Sequence, residues 1–368
     1  MAIPCPLRQE CFWRSVKKGY PVKLKNYESG RKLLSRTNLI FCTGQNAESA
    51  EDPRIFLDIG ESTQVKFCPM PKKRLLFRLG LFYLTLIGFV GHLLPRRLLL
   101  WMAVLVGTFY WAVMRKDREM VRRNLTRVLE NHAAIKKAVR RTFIHYAKYL
   151  VDYTRMDLLR EDNFGRLVQS FEGRENIDGA LARGKGGMIL TAHLGNWEMG
   201  GVFLTLLGYS LNVITAPDVA ARLHEYRIRL RQGQRIKVIT LNDTLSSSLA
   251  VLKALQANEL IALLGDRELL GKGVPVTFFG QPVYFPAGPA LLTHLSEAAL
   301  IPTFVLMGAK NQYRCVAKPP LTLQRTGNRD EDLAVNTQRI AGVMEKFIRS
   351  YPDQWFTFYD YFSRHKVS

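Results

Sequence analysis

Residues 186–198 read GGMILTAHLGNWE, and the fold turns on how this stretch is read. Gly187–Thr191 is a short apolar run that follows Gly186, the pattern of a strand buried on both faces. His193 comes two residues after it, Gly195 permits a tight turn, and Asn196 has the side chain of a helix N-cap. A helix is expected over Asn196–Leu207, with Glu198 in its first turn, where the helix dipole favours a carboxylate. Open α/β sheets bind their ligands beyond the carboxyl ends of the strands, which is where His193 falls. In this reading Glu198 reaches back to one imidazole nitrogen, fixing the tautomer and leaving the other nitrogen to accept a proton. The pair is a base and its orienter with no serine or cysteine nucleophile beside it, so the attacking hydroxyl is expected from a substrate.

Working outward, strand-like segments at Leu211–Thr215, Ile236–Thr240, Leu260–Leu264, Val274–Phe279 and Ile301–Met307 alternate with helical ones. The helices are expected at Ala220–Gln232, Leu245–Gln256, Pro289–Ala298 and Asn336–Ser350. That alternation predicts an α/β domain over residues 119–368, built on a mostly parallel sheet flanked by helices.

The front of the chain is of another kind. Residues 1–70 lack sustained periodicity and are expected to form a poorly ordered extension, with no signal peptide near Met1. Residues 71–118 hold two apolar runs, Leu79–Leu94 and Leu98–Met114, each about 25 Å long as a helix. Lys72, Lys73 and Arg74 precede them, Arg96 and Arg97 lie between, and Arg115, Lys116 and Arg118 follow. Basic residues on every side predict membrane helices facing anionic headgroups, either as one span or as a shallow hairpin. The basic stretch Arg115–Arg141 reads as helical and would lie against those headgroups.

HLGNWE on a strand-to-helix turn resembles the H-x(4)-D/E motif of the glycerolipid acyltransferase superfamily. It is most similar to the bacterial branch that contains the lipid A late acyltransferases and the mycobacterial phosphatidylinositol mannoside acyltransferases. Two later blocks extend the likeness: Gly265-Asp266-Arg267 after the strand Leu260–Leu264, then GKGVPVTFFGQPVYFPAGPALL from Gly271. The resemblance implies that His193 is the general base, that Glu198 orients it, and that the donor is an acyl thioester on acyl carrier protein or coenzyme A. It further implies a lipid acceptor, a lipid A precursor first of all, at the cytoplasmic face of a bacterial inner membrane. Arg229 and Arg231 lie where that family carries a basic residue. Read physically, Arg267 is placed to bind an acceptor phosphate or steady developing charge, and Asp266 beside it is a further substrate-binding candidate, as are Arg229 and Arg231. Asn196 is a further substrate contact candidate, and Gly288 opens a helix start with free backbone donors. The oxyanion is expected against backbone donors near the Gly195 turn. The tail, QWFTFYDYF from Gln354, departs from the usual lipid A pattern, which leaves the acceptor open.

Composition fits this picture. Lys and Arg number 53 against 31 Asp and Glu, a net charge of +22, which calls for an acidic carrier protein or anionic membrane lipids as partners. Basic and aromatic residues do not interleave and no recognition helix stands out, so nucleic acid is not expected. The 5 cysteines form no C-x-x-C pair, so no metal site is expected, and acyl transfer of this kind needs no cofactor. A thioesterase, in which water replaces the hydroxyl, and a non-catalytic membrane scaffold are the readings from other classes.

Overall fold

The computed structural model describes residues 91–217, 221–241, 244–268, 271 and 273–367. The expected extension 1–70 and the first apolar run, up to residue 90, lie outside the described residues.

Three helices come first: α1 (Arg96–Val113), α2 (Arg115–Val128) and α3 (His132–Tyr153). The basic stretch expected to be helical is broken at Leu129–Asn131, where the Asn131 side chain accepts from the amides of Ala133 and Ala134 and starts α3. The expected boundary at residue 118 falls inside α2. Leu99, Leu100, Ala103 and Gly107 bury one face of α1 against the body of the protein. A Cβ at Gly107 would come within 2.8 Å of the Ile144 Cα, so only glycine lets α1 and α3 approach this closely. The opposite face carries Trp101, Leu105 and Phe109 at 61%, 53% and 69% exposure: the helix is apolar all round and covered on one side. α1 is long and apolar enough to cross a membrane.

The remainder runs β1 (Val168–Glu172), α4 (Arg174–Ala182), β2 (Gly187–Thr191), α5 (Trp197–Leu206), β3 (Leu211–Thr215), α6 (Ala221–Gly233), β4 (Lys237–Thr240) and α7 (Thr244–Gln256). It continues through β5 (Leu260–Leu264), β6 (Val274–Phe278), β7 (Gln281–Phe285), α8 (Gly288–Ser296), β8 (Ala299–Met307), β9 (Tyr313–Ala317), α9 (Arg329–Ser350) and α10 (Tyr361–Arg364). A mixed α/β domain results, as the alternation predicts. Its seven-stranded sheet has the order β1-β9-β8-β2-β5-β3-β4 and is parallel except where β9 turns back beside β8. The link Gly308–Gln312 is too short for a crossover, so that pair must be antiparallel.

β2 lies between β8 and β5 and is buried along its whole length. Its side chains alternate between two cores. Met188 and Leu190 join the core packed against Val251, Ala290 and Met344, whereas Ile189 joins the one packed against Met199, Val202 and Phe203. The segment expected as strand Val274–Phe279 ends one residue sooner and stays out of the main sheet. It pairs with β7 as a hairpin, because Phe279 and Gly280 both take positive φ (49° and 71°) in a two-residue turn. Phe278 and Phe279 are core residues there.

Candidate active site

Two neighbouring strands end at one edge of the sheet and bring the chemistry together. Thr191 of β2 is in register with Leu264 of β5, and the Gly265 amide continues the ladder by donating to the Thr191 carbonyl at 2.9 Å. Each chain then runs two residues further, to His193 on one strand and Asp266 on the other. His193 Nδ1 lies 2.7 Å from Asp266 Oδ1, and the His193 amide donates to the same oxygen at 3.2 Å.

The expected partner of His193 is therefore replaced. Glu198 does not hold the imidazole: Arg231 of α6 occupies its carboxylate in a two-pronged pair, with Nε at 3.0 Å and Nη2 at 2.6 Å. The first turn of α5 points Glu198 toward α6, while the register of β2 and β5 delivers Asp266 to the ring. Burial works against the Arg231 charge, but the Glu198 carboxylate more than offsets it and holds the guanidinium ionised.

The turn itself is tightly built. Gly195 has φ +67°, and a Cβ there would fall 2.1 Å from the Val305 carbonyl oxygen. The Gly195 amide donates to Gln354 and the Asn196 amide to Val305. Two backbone donors at the turn near which an oxyanion was expected are thus already bonded. Asn196 caps α5 by accepting from the Met199 amide, as expected, and its Nδ2 donates to Tyr313 Oη at 2.8 Å. Its side chain, expected as a substrate contact, is thus engaged by the protein itself, and the residue is 1% exposed. A buried polar chain continues from there: Tyr313 donates to Asp152, which accepts both prongs of Arg96 at 2.7 Å.

The carboxyl-terminal segment, which the sequence reading left without a role, closes the site. Phe356 donates its amide to the His193 carbonyl, and Trp355 Nε1 donates to Asp266 Oδ2 at 3.3 Å. Tyr361 Oη donates to the Asp266 carbonyl at 2.6 Å. Arg267 donates Nη2 to the Phe356 carbonyl at 2.6 Å and lies over the Tyr359 ring, while its buried Nε has no hydrogen-bond partner among the described residues. Arg229, expected as a basic site residue, is 76% exposed and faces Glu225 on its own helix at 3.9 Å. Gly288 opens α8 at this same end of the sheet, for the next residue, Pro289, packs toward Gly265.

The electrostatics suit a base. Burial lowers the His193 imidazole from its ordinary value, Asp266 pulls the other way, and Arg267 adds to the lowering, so the balance favours the neutral ring. Burial opposes the Asp266 charge, yet His193, Arg267 and the Trp355 N–H together hold the carboxyl well below its ordinary range. The His193 side chain is 19% exposed while Asp266 is sealed, so one face of the pair is open to a substrate.

Beneath α5 lies an apolar cavity on the Ile189 face of the sheet. Phe171, Cys315, Thr303, Val305, Ala262 and Val213 line its floor. Trp197, Gly200, Gly201 and Phe203 form its roof, and the Glu198–Arg231 pair borders it. Burial pushes the Cys315 thiol up to about 12, so this cysteine is a wall residue and no nucleophile.

A family model described as "Bacterial lipid A biosynthesis acyltransferase" matches residues 68–364. The phosphatidylinositol mannoside acyltransferase of Mycobacterium tuberculosis (strain ATCC 25618 / H37Rv) is 28% identical over 241 residues, 64% of this chain and 74% of its own. That of Mycolicibacterium smegmatis is 27% identical over 248 residues, covering 67% of this chain and 79% of its own.

Proposed function

The chain belongs to the bacterial lipid A biosynthesis acyltransferase family, and on that premise we propose that it moves a fatty acyl chain from a thioester, on acyl carrier protein or coenzyme A, to a hydroxyl of a membrane glycolipid. One observation carries the reading: an Asp266-anchored His193 stands at the open end of the sheet close to an apolar cavity, and among the described residues no serine or cysteine hydrogen-bonds its ring.

Asp266 holds Nδ1 protonated, which leaves Nε2 to take the proton of the acceptor hydroxyl. The oxygen attacks the thioester carbonyl, the carbon–sulfur bond breaks, and the imidazolium returns its proton to the leaving thiolate. Asp266 thus takes the orienting role first assigned to Glu198, and Glu198 keeps Arg231 charged at the cavity wall. Arg267 contributes positive potential where the oxyanion develops. The acyl chain lies in the cavity under α5, where apolar walls match its methylenes.

The acceptor class rests on what lipid A precursors and phosphatidylinositol mannosides have in common: both are anionic glycolipids of a membrane. The exposed apolar face of α1, with Arg115, Lys116 and Arg118 beyond its end, supports a site at an anionic membrane surface, the cytoplasmic face of an inner membrane in this reading.

Mass spectrometry of lipids from a deletion strain tests the acceptor. Loss of one acyl chain from lipid A assigns the lipid A precursor, and loss from a mannosylated phosphatidylinositol assigns that lipid instead. Purified protein given palmitoyl-coenzyme A should release little free palmitate without acceptor; rapid release would replace the transferase by a thioesterase.

A further inference from the structure

Asp266 is fully buried and has two oxygens to satisfy. Oδ1 is bonded to His193 through both the ring and the amide. Oδ2 receives one hydrogen bond, from Trp355 Nε1 at 3.3 Å, with Arg267 Nε standing off at 3.9 Å. The indole that supplies this bond has little freedom to turn. It is 1% exposed and wedged among Phe278, Phe279 and Tyr361, at ring-centroid distances of 6.2, 6.4 and 5.1 Å. The adjacent backbone is pinned to the same turn, since Leu194 bridges Trp355 and the Phe356 amide donates to the His193 carbonyl.

We propose that Trp355 is a positioning residue for the acyl transfer, acting through Asp266: its N–H fixes the carboxylate plane so that Oδ1 meets the His193 ring in line, and it withdraws charge from the oxygen that the ring does not use. The consequence for the base has a definite sign. Without the indole donor, Asp266 carries more of its charge on the side of His193 and favours the imidazolium. His193 then titrates at higher pH, and a smaller share of it is free base on the acid side of neutrality. Other charged or titratable groups facing the pair are Glu198 of α5, Arg267 beside Asp266, and Tyr359, Tyr361 and His365 of the tail.

Trp355→Phe removes the donor and keeps an aromatic ring. Benzothienylalanine at position 355 keeps the full shape of the indole and lacks only the N–H, which covers the case in which the phenylalanine variant folds poorly. The first readout needs no substrate: nitrogen-15 NMR of the His193 ring across pH, assigned with His193→Ala. Both Trp355 variants should move the titration upward, and Phe278→Leu, which disturbs the same ring packing without touching a polar atom, should leave it in place. The second readout rests on the acyl-transfer reading above. With palmitoyl-coenzyme A and phosphatidylinositol dimannoside as probes, kcat should fall about tenfold, with KM little changed and the acid limb moved to higher pH. An unmoved His193 titration in the benzothienylalanine protein overturns the inference even if activity is present. A moved titration with no transfer in the unsubstituted protein leaves the inference standing and overturns the reading of these probes as substrates.

Discussion

Two carboxylates sit within one turn of the same sheet edge, and each is paired with a nitrogen base, yet the two pairs do different work. Asp266 faces a histidine and Glu198 faces an arginine. A guanidinium keeps its proton at every accessible pH, so Glu198–Arg231 is a permanent ion pair between α5 and α6 whose removal shows chiefly in stability. An imidazole gives its proton up near neutrality, so His193–Asp266 is a base whose strength its surroundings can set. On the proposed function, the contrast assigns chemistry to the strand ends and scaffolding to the helix pair, and it can be broken at several points.

The largest effect belongs to His193→Ala, which should cut acyl transfer at least about a thousandfold with the fold retained by circular dichroism. Next, Asp266→Asn should cost activity about a hundredfold and move the acid limb of the rate profile to lower pH, because the imidazolium loses its counter-charge. Glu198→Gln should show the reverse balance: about 3 kcal/mol lost in denaturant unfolding, from a buried Arg231 left without its partner charge, and a movement of the acid limb smaller than that of Asp266→Asn, because Glu198 is the weakest of the charges acting on His193. If Glu198→Gln moved the pH profile and Asp266→Asn did not, the two roles would have to be exchanged.

A smaller effect separates the pairs by pH. Burial pushes the imidazoles of His145, His193 and His365 below their ordinary value, His365 to about 4. The folded state therefore favours neutral rings, and the unfolded chain takes up protons first as pH falls below about 6.5. Their contribution to stability is complete above that pH and is lost as pH falls toward about 4, so the urea midpoint should drop over this interval. His365→Gln should flatten part of the drop, whereas Glu198→Gln should lower the curve evenly. The smallest effect is expected at Arg229: exposed and facing only Glu225, its change to Ala should leave activity unaltered and unfolding within about 0.5 kcal/mol.

Much of this comparison is legible in the sequence. β2, β3 and β5 are legible as short apolar runs, and the strand-to-turn context of His193 follows from them. Asp266 was also within reach, because it stands two residues past Leu264 just as His193 stands two residues past Thr191, and parallel neighbours in register place such residues side by side. Glu198 was preferred because it is close along the chain, and local spacing cannot show that a helix face turns the other way. β1 and β9 escaped because VQSFE is mostly polar and the short YRCVA is interrupted by Arg314, so neither offers a run long enough to mark a strand. The role of Gln354–Phe356 was not legible at all: it depends on a contact with His193 across some 160 residues, and nothing local in an aromatic tail announces it.

The polar chain from Arg96 through Asp152 and Tyr313 to Asn196 bears on how the protein can be taken apart. A membrane anchor is commonly treated as a tether that can be cut away to leave a soluble enzyme. Here the first residue of α1 completes a buried network whose far end is the cap of α5, one turn from His193. A chain shortened to begin after Val113 would leave the Asp152 carboxylate and the Tyr313 hydroxyl without their cation, and would uncover the groove on α3 that Gly107 occupies. Solubility is better sought by replacing Trp101, Leu105 and Phe109 with polar residues, which keeps the helix and changes only what it faces.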